Sequence, residues 1–199
     1  MFKFPWAALL LALGISSLAG ASPLWAHCDG LDGPVVTAAR KALNTGNVDY
    51  ILIWVTDKDE DEVRAAFGDA RTVRKLSDQA QALADKYFFE TVVRLHRAAE
   101  GAPYTGLKPA GRDLGPAIPA ADDALATGSV EKLLDLLTDA VQDGVQSQFR
   151  AANDKKSFAP GNVAAGRAYV DAYVSFIHYV ERIHEAAAQV PEGHYPEEH

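Results

Sequence analysis

The sequence predicts an all-α protein built from two copies of one helical unit. Strong helix formers dominate the chain, sustained apolar–polar alternation is rare, and Gly or Pro clusters separate the helical stretches. The chain also matches itself at an offset of 82 residues. Two copies are too few for a solenoid, so we expect two duplicated repeats packed as a pseudo-two-fold bundle.

The internal match runs without a gap from Gly33 to His96, which pair with Gly115 and His178. Of these 64 positions 20 are identical, whereas composition alone gives roughly four or five. The identities include Gly, Pro, Phe, Tyr and His as well as Ala. We therefore expect repeat 1 at about residues 33–100 and repeat 2 at about residues 115–182.

Two short helices are expected at the start of each repeat. In repeat 1 the first covers residues 34–44, with Pro34 in its first turn and a turn at Thr45-Gly46-Asn47 after it. The second ends near Val55. The β-branched run 51–55 also fits a strand, but its partner in repeat 2 is rich in leucine and favours a helix.

A third and a longer fourth helix complete each repeat. In repeat 1 they cover about residues 58–67 and 77–99, and Ser77 suits the N-cap of the longer one. Residues 101–119 hold four of the ten prolines and form the linker between repeats. We expect the two long fourth helices to face each other at the interface between the repeats.

The first 26 residues have the composition of an export signal. Lys3 precedes an apolar run, and Ala21 and Ala26 offer small residues for cleavage. The run is shorter than the roughly 20 residues of a membrane-spanning helix. We expect removal of residues 1–26, a single all-α domain at residues 27–190, a flexible tail at residues 191–199, and a periplasmic or extracellular location.

The charge of the chain argues against anionic partners. The full chain carries a net charge of −8, and loss of Lys3 leaves 18 basic against 27 acidic residues, or −9. Such a chain lacks the basic surface that holds nucleic acid or an anionic membrane. No nucleophile elbow, P-loop, dinucleotide fingerprint or Cys-x-x-Cys pair is present, so common hydrolase and nucleotide-binding classes have no motif.

Two histidines occupy equivalent positions in the long fourth helices. His96 and His178 each share a helical face with apolar residues, so both are expected to point inward. Residues at equivalent positions of the two repeats can contact each other if they lie near the pseudo-two-fold axis. An inward histidine is also commonly a hydrogen-bonded core residue, and that alternative stays open.

The processed amino end offers further metal donors. Cleavage after Ala26 would leave His27-Cys28 as the first two residues, with a free amine, an imidazole, an amide and the chain's one thiol. Such a set chelates Cu(II) or Ni(II). Cleavage after Ala21 fits the small-x-small rule better and would leave five residues ahead of His27.

His27-Cys28-Asp29 followed by Gly33 resembles the mature amino end of the nickel superoxide dismutases, which are all-helical enzymes. Their motif, His-Cys-Asp-x-x-Cys-Gly, supplies two thiolates, the amino nitrogen, a backbone amide and the first imidazole to a redox metal. Here Asp32 stands where the second cysteine belongs, so the resemblance implies ligand roles for His27 and Cys28. The whole chain also resembles a family of exported microbial proteins without an assigned mechanism.

The sequence thus predicts that His27, Cys28, His96 and His178 bind one transition-metal ion. Copper is the first choice, because one thiolate with several imidazoles suits it, and nickel is the alternative. One use is a redox enzyme acting on superoxide or a related small oxidant, with Cys28 and His27 as catalytic residues. A metal carrier or sensor without turnover, and a metal-free interaction module, stay open, as does the oligomeric state.

Overall fold

The computed structural model describes residues 27–189, and all regular secondary structure in that range is helical. The all-α prediction is confirmed. The predicted export signal and the tail at residues 191–199 lie outside the described residues. Seven α-helices follow one another in this range, with a 3-10 turn at Asp57–Asp59. They are α1 (Pro34–Thr45), α2 (Asp49–Leu52), α3 (Glu60–Val73), α4 (Asp78–Ala99), α5 (Ala117–Thr127), α6 (Glu131–Asn153) and α7 (Val163–Ala188).

Glycine ends the first helix of each predicted repeat in the same way. Gly46 has a φ of 78° and Gly128 a φ of 73°, in the left-handed region that favours glycine. Their N–H groups donate to the carbonyls of Ala42 and Ala124, four residues earlier. Each helix therefore ends at a glycine C-cap, as the turn at Thr45-Gly46-Asn47 predicts.

Helices α2 and α3 are separated by a tight turn. Helix α2 ends at Leu52, and residues 53–56 turn the chain before the 3-10 segment. The helical interpretation of the 51–55 run is correct for its first half, and the remainder is turn. Helix α3 extends past the predicted end at residue 67 to Val73, because Val63, Ala66, Phe67 and Ala70 keep one buried apolar face.

The core of the described chain lies between α1, α2, α3 and α4. Ser77 caps α4 by accepting the N–H of Ala80, as predicted. Phe88, Val92 and Leu95 form its buried face. Arg74 joins three elements, since it donates to Asp85 of α4 and to the Leu43 carbonyl of α1.

The second half is more open than the predicted bundle. Helix α5 packs on α6, and α6 packs on α7, while α4 packs with α1 and α3. The prediction that the long fourth helices face each other is therefore wrong for the described residues. The buried face of α4, which includes Phe88, Val92 and Leu95, is already covered by helices of the first half. The duplication itself stays a prediction from the sequence.

The segment before α1 is tied to the linker. Leu31 N–H donates to the Lys108 carbonyl at 3.0 Å, and Lys108 N–H donates to the Asp29 carbonyl at 2.8 Å. Gly33 closes the segment, because its N–H donates to the Gly30 carbonyl. The amino end is thereby held against the linker, and Asp29 also faces Arg97 near the end of α4. No helix among residues 27–189 is long and apolar enough to cross a membrane.

Replacement of Gly33 by alanine should loosen this segment. A Cβ at Gly33 would lie 2.5 Å from the His27 carbonyl oxygen, so backbone must move. We expect Gly33→Ala to lower the free energy of unfolding by about 1–3 kcal/mol. Gly68→Ala is the matched control, because Gly68 lies within α3 with nothing near its Cβ position, and it should raise stability by about 0.5–1 kcal/mol. Equal effects of the two changes in urea unfolding would contradict the close packing at Gly33.

Candidate metal centre

Two of the four predicted ligands meet at the end of α4. Cys28, His96 and Glu100 each offer one donor atom, and these three atoms lie within 4.8 Å of one another. Glu100 follows the last helical residue of α4 and stands four residues after His96. Residues four apart on a helix lie on the same face, so the carboxylate lies beside the imidazole. The amino segment brings Cys28 to this pair.

A backbone carbonyl fixes the orientation of His96. Its Nδ1 lies 2.9 Å from the carbonyl oxygen of Trp54, in the turn after α2. A carbonyl can only accept, so Nδ1 donates its proton there, and Nε2 is the ring nitrogen left for a metal ion. Nε2 lies 3.4 Å from Glu100 Oε1, and the residue is only 3% exposed. The ring is therefore held with Nε2, the nitrogen that can coordinate a metal ion, facing Cys28 and Glu100.

The buried ion pair of Arg97 and Asp29 positions the Glu100 carboxylate. Arg97 Nη1 donates to Glu100 Oε2 at 2.9 Å, and Arg97 Nε lies 3.5 Å from Asp29 Oδ1. Arg97 and Asp29 are 5% and 2% exposed, so these two charges face each other in a dry environment, and Lys108 and Arg112 add positive charge near Asp29. Burial raises the pKa of Asp29, although Arg97 opposes the change. The arrangement leaves Glu100 Oε1 on the side of His96.

The Cys28 thiol is protonated at neutral pH in the metal-free protein. Burial, followed by the carboxylates of Glu100 and Asp29, raises the pKa of Cys28 to about 11. A thiol with such a pKa is a weak nucleophile, so covalent catalysis by Cys28 alone has no support. A bound cation reverses these electrostatics, because it favours the thiolate that coordinates it.

The other two predicted ligands lie elsewhere. His27 Nε2 lies 3.1 Å from Asp122 Oδ2 on α5, so its imidazole contacts the second half. His178 is exposed on α7, which packs along α6. The structure thus brings Cys28 and His96 together and leaves His27 and His178 outside this group. Their ligand roles stay predictions.

Asp32, which occupies the position of the second cysteine in the resembled motif, makes a hydrogen bond to the linker. Its Oδ2 accepts the N–H of Gly111 at 2.7 Å, and this hydrogen bond lowers the pKa of the carboxyl. Position 32 therefore faces the linker, and the donor group at the end of α4 is completed by Glu100. Sequence reasoning missed Glu100, although its four-residue spacing from His96 was a usable signal.

Comparisons with known proteins give a family without a function. Residues 32–179 match the family of unknown function DUF6448. The match begins after His27 and Cys28, so it says nothing about the amino end. No curated protein and no solved structure matches the chain.

Loss of Arg97 should destabilise the fold far more than loss of a neighbouring arginine. Arg97→Met leaves the buried Asp29 carboxylate without its guanidinium, which costs about 3–5 kcal/mol of unfolding free energy. Arg94→Met on the same helix removes an exposed pair with Glu62 and should cost at most about 1 kcal/mol. Denaturant unfolding of both variants measures the difference. Similar losses would show that the Arg97–Asp29 pair is not the buried support described above.

Proposed function

We propose that this chain, which belongs to the family of unknown function DUF6448, binds a single transition-metal ion. In this proposal Cys28, His96 and Glu100 are the protein ligands. The observation that carries it is the convergence of a thiol, an imidazole nitrogen and a carboxylate oxygen within 4.8 Å. Glu100 takes the place that the sequence prediction gave to His178.

The donor geometry supports a small ion with short bonds. Around a tetrahedral ion with bonds of 2.0–2.3 Å, ligand atoms lie roughly 3.3–3.8 Å apart. His96 Nε2 and Glu100 Oε1 are already 3.4 Å apart, and all three donor atoms lie within 4.8 Å of one another. His96 already donates its other ring N–H to a carbonyl, the usual arrangement of a metal-binding histidine. Three protein ligands leave one position for a further ligand.

The chemistry of the donors favours a late transition metal. A thiolate is a soft ligand and an imidazole an intermediate one, so Mg²⁺ and Ca²⁺, which prefer oxygen, are poor candidates. Copper stays our first choice, since affinity along the first-row series peaks at Cu²⁺, and nickel and zinc are the alternatives. The charges that act on Cys28 also support a cation, because the carboxylates of Glu100, Asp29 and Asp122 act there against the guanidinium of Arg97.

Two functions follow from such a site. The first is a carrier or sensor, which the burial of His96 and the clamped amino segment support, since they shield the ion from solvent. The second is one-electron chemistry with superoxide, whose support is the amino-terminal His27-Cys28-Asp29 sequence alone. We place metal binding first and turnover second.

Metal titration of the chain beginning at His27 tests the proposed ligands. One equivalent of Co(II) should bind and give the ultraviolet charge-transfer absorption of a thiolate ligand. Cys28→Ser should abolish that band, and both Cys28→Ser and Glu100→Gln should lower copper affinity by at least about 10-fold, measured against a competing chelator. His178→Ala and His184→Ala are the controls, because both residues lie on α7.

The outcome separates the two ligand sets. Unchanged affinity in Glu100→Gln together with a loss in His178→Ala would favour the sequence-based set and contradict this proposal. A loss in neither variant, with no thiolate band, would exclude a metal centre at the end of α4.

A superoxide assay tests turnover independently of binding. The copper-loaded chain should speed superoxide loss beyond free copper under chelator control. Cys28→Ser should remove this activity, whereas His184→Ala should not. Tight copper binding with no activity would leave the carrier or sensor function and exclude the enzyme.

A further inference from the structure

The second half of the described chain exposes the side chains that its sequence pattern assigns to a core. Among residues 117–188, Ala152 and Ala172 are the apolar residues that are buried, while many large apolar side chains face outward. The first half buries a full core of aliphatic and aromatic residues. A large exposed apolar face of this kind marks an interaction surface.

The 82-residue offset shows which residues are affected. Six positions are at most 9% exposed in the first half and at least 41% exposed in the second. The exposed members are Leu125, Leu134, Leu137, Phe149, Val174 and Ile177. Their partners in the first half are Leu43, Leu52, Val55, Phe67, Val92 and Leu95. The exposed face is therefore the counterpart of an existing core.

A straight helix is the reason for the difference. In the first half the chain turns at residues 53–56, so that α1 packs back on α4. The matching residues 135–138 lie within the continuous helix α6, and α5 makes no extensive contact with α7 in the described structure. Because α6 is straight, α5 is held away from α7, which it would cover if it packed as α1 packs on α4.

The local sequences explain why one half turns and the other stays straight. The turn in the first half contains the β-branched residues Ile53, Val55 and Thr56. Thr56 also donates to the Asp59 carboxylate in the 3-10 segment. The matching positions are Thr138 and Val141, and valine offers no acceptor. Leucine and alanine dominate residues 133–140, which favours an unbroken helix.

We infer that a second copy of this chain covers the exposed face by exchanging residues 117–137. In the exchanged dimer, α5 and the first part of α6 from one chain pack on α7 and the rest of α6 of the other. In each chain α7 is then covered by α5 of the other chain, as α4 is covered by α1 in the first half. Helix α6 stays straight. Exchange of an identical element is a common route to a two-fold dimer.

The exposed area is sufficient for a stable dimer. About ten half-exposed large apolar side chains have on the order of 500 Å² of apolar surface to bury in each chain. Since interfaces are roughly 57% apolar, this corresponds to about 900 Å² for each partner. Specific protein–protein interfaces of standard size bury about 800 Å² for each partner. The inference is independent of the metal centre, which lies in the first half.

Sedimentation equilibrium of the full chain, processed as in its cell, tests the inference. A reductant in the buffer prevents oxidation of Cys28. We expect a dimer at micromolar concentration. Val174→Glu should shift it to monomer, whereas Leu76→Glu, at a 75% exposed position of the first half, should leave it dimeric. A monomeric wild type, or a dimer that Val174→Glu does not affect, would overturn the inference.

A second variant separates exchange from simple face-to-face pairing. Four glycines inserted after Leu136 would let α6 fold back within its own chain, so the dimer should become a monomer with the helix content of the wild type. In parallel, dimers carrying two different tags should scramble over hours, because exchange requires α5 to leave its partner. Retention of the dimer by the insertion variant together with rapid scrambling would show pairing without exchange.

Discussion

One hydrogen bond, from His96 Nδ1 to the Trp54 carbonyl, connects the fold of the first half to its candidate site. It holds the turn after α2 against α4, which keeps α1 and α2 folded onto the core. The same bond sets the tautomer of the ring and leaves Nε2 for Cys28 and Glu100. In the second half the matching residues are Leu136, inside α6, and His178, which is exposed. Where the turn is absent, both the closed core and the inward histidine are absent from the described structure.

The buried pair of Arg97 and Asp29 extends this constraint to the amino end. Asp29 lies between Cys28 and the backbone bridge to Lys108, so its charge must be balanced for the segment to stay buried. The ligand from the amino end is thus positioned by the same contacts that complete the fold. Metal binding to such a group adds to folding stability, by about 2.7 kcal/mol when the free ion exceeds its dissociation constant a hundredfold.

Local sequence signals predicted much of the fold. Proline, glycine and serine at helix ends gave the bounds of α1 and the start of α4, because capping depends on a few neighbouring residues. Cys28 and His96 were also found from sequence. Glu100 was missed because it has no equivalent in repeat 2, where Arg182 occupies its place, so a pattern common to both repeats does not identify it. The straight α6 and the separation of α4 from α7 depend on packing between distant segments, which local patterns do not report.

X-ray absorption of the copper-loaded or zinc-loaded chain tests the central claim most directly, because it counts ligand atoms by type. The proposed site predicts one sulfur neighbour at about 2.3 Å, lighter neighbours at about 2.0–2.2 Å, and the scattering pattern of a single imidazole. A first shell without sulfur, or one with the scattering of three imidazoles, would contradict a centre built from Cys28, His96 and Glu100.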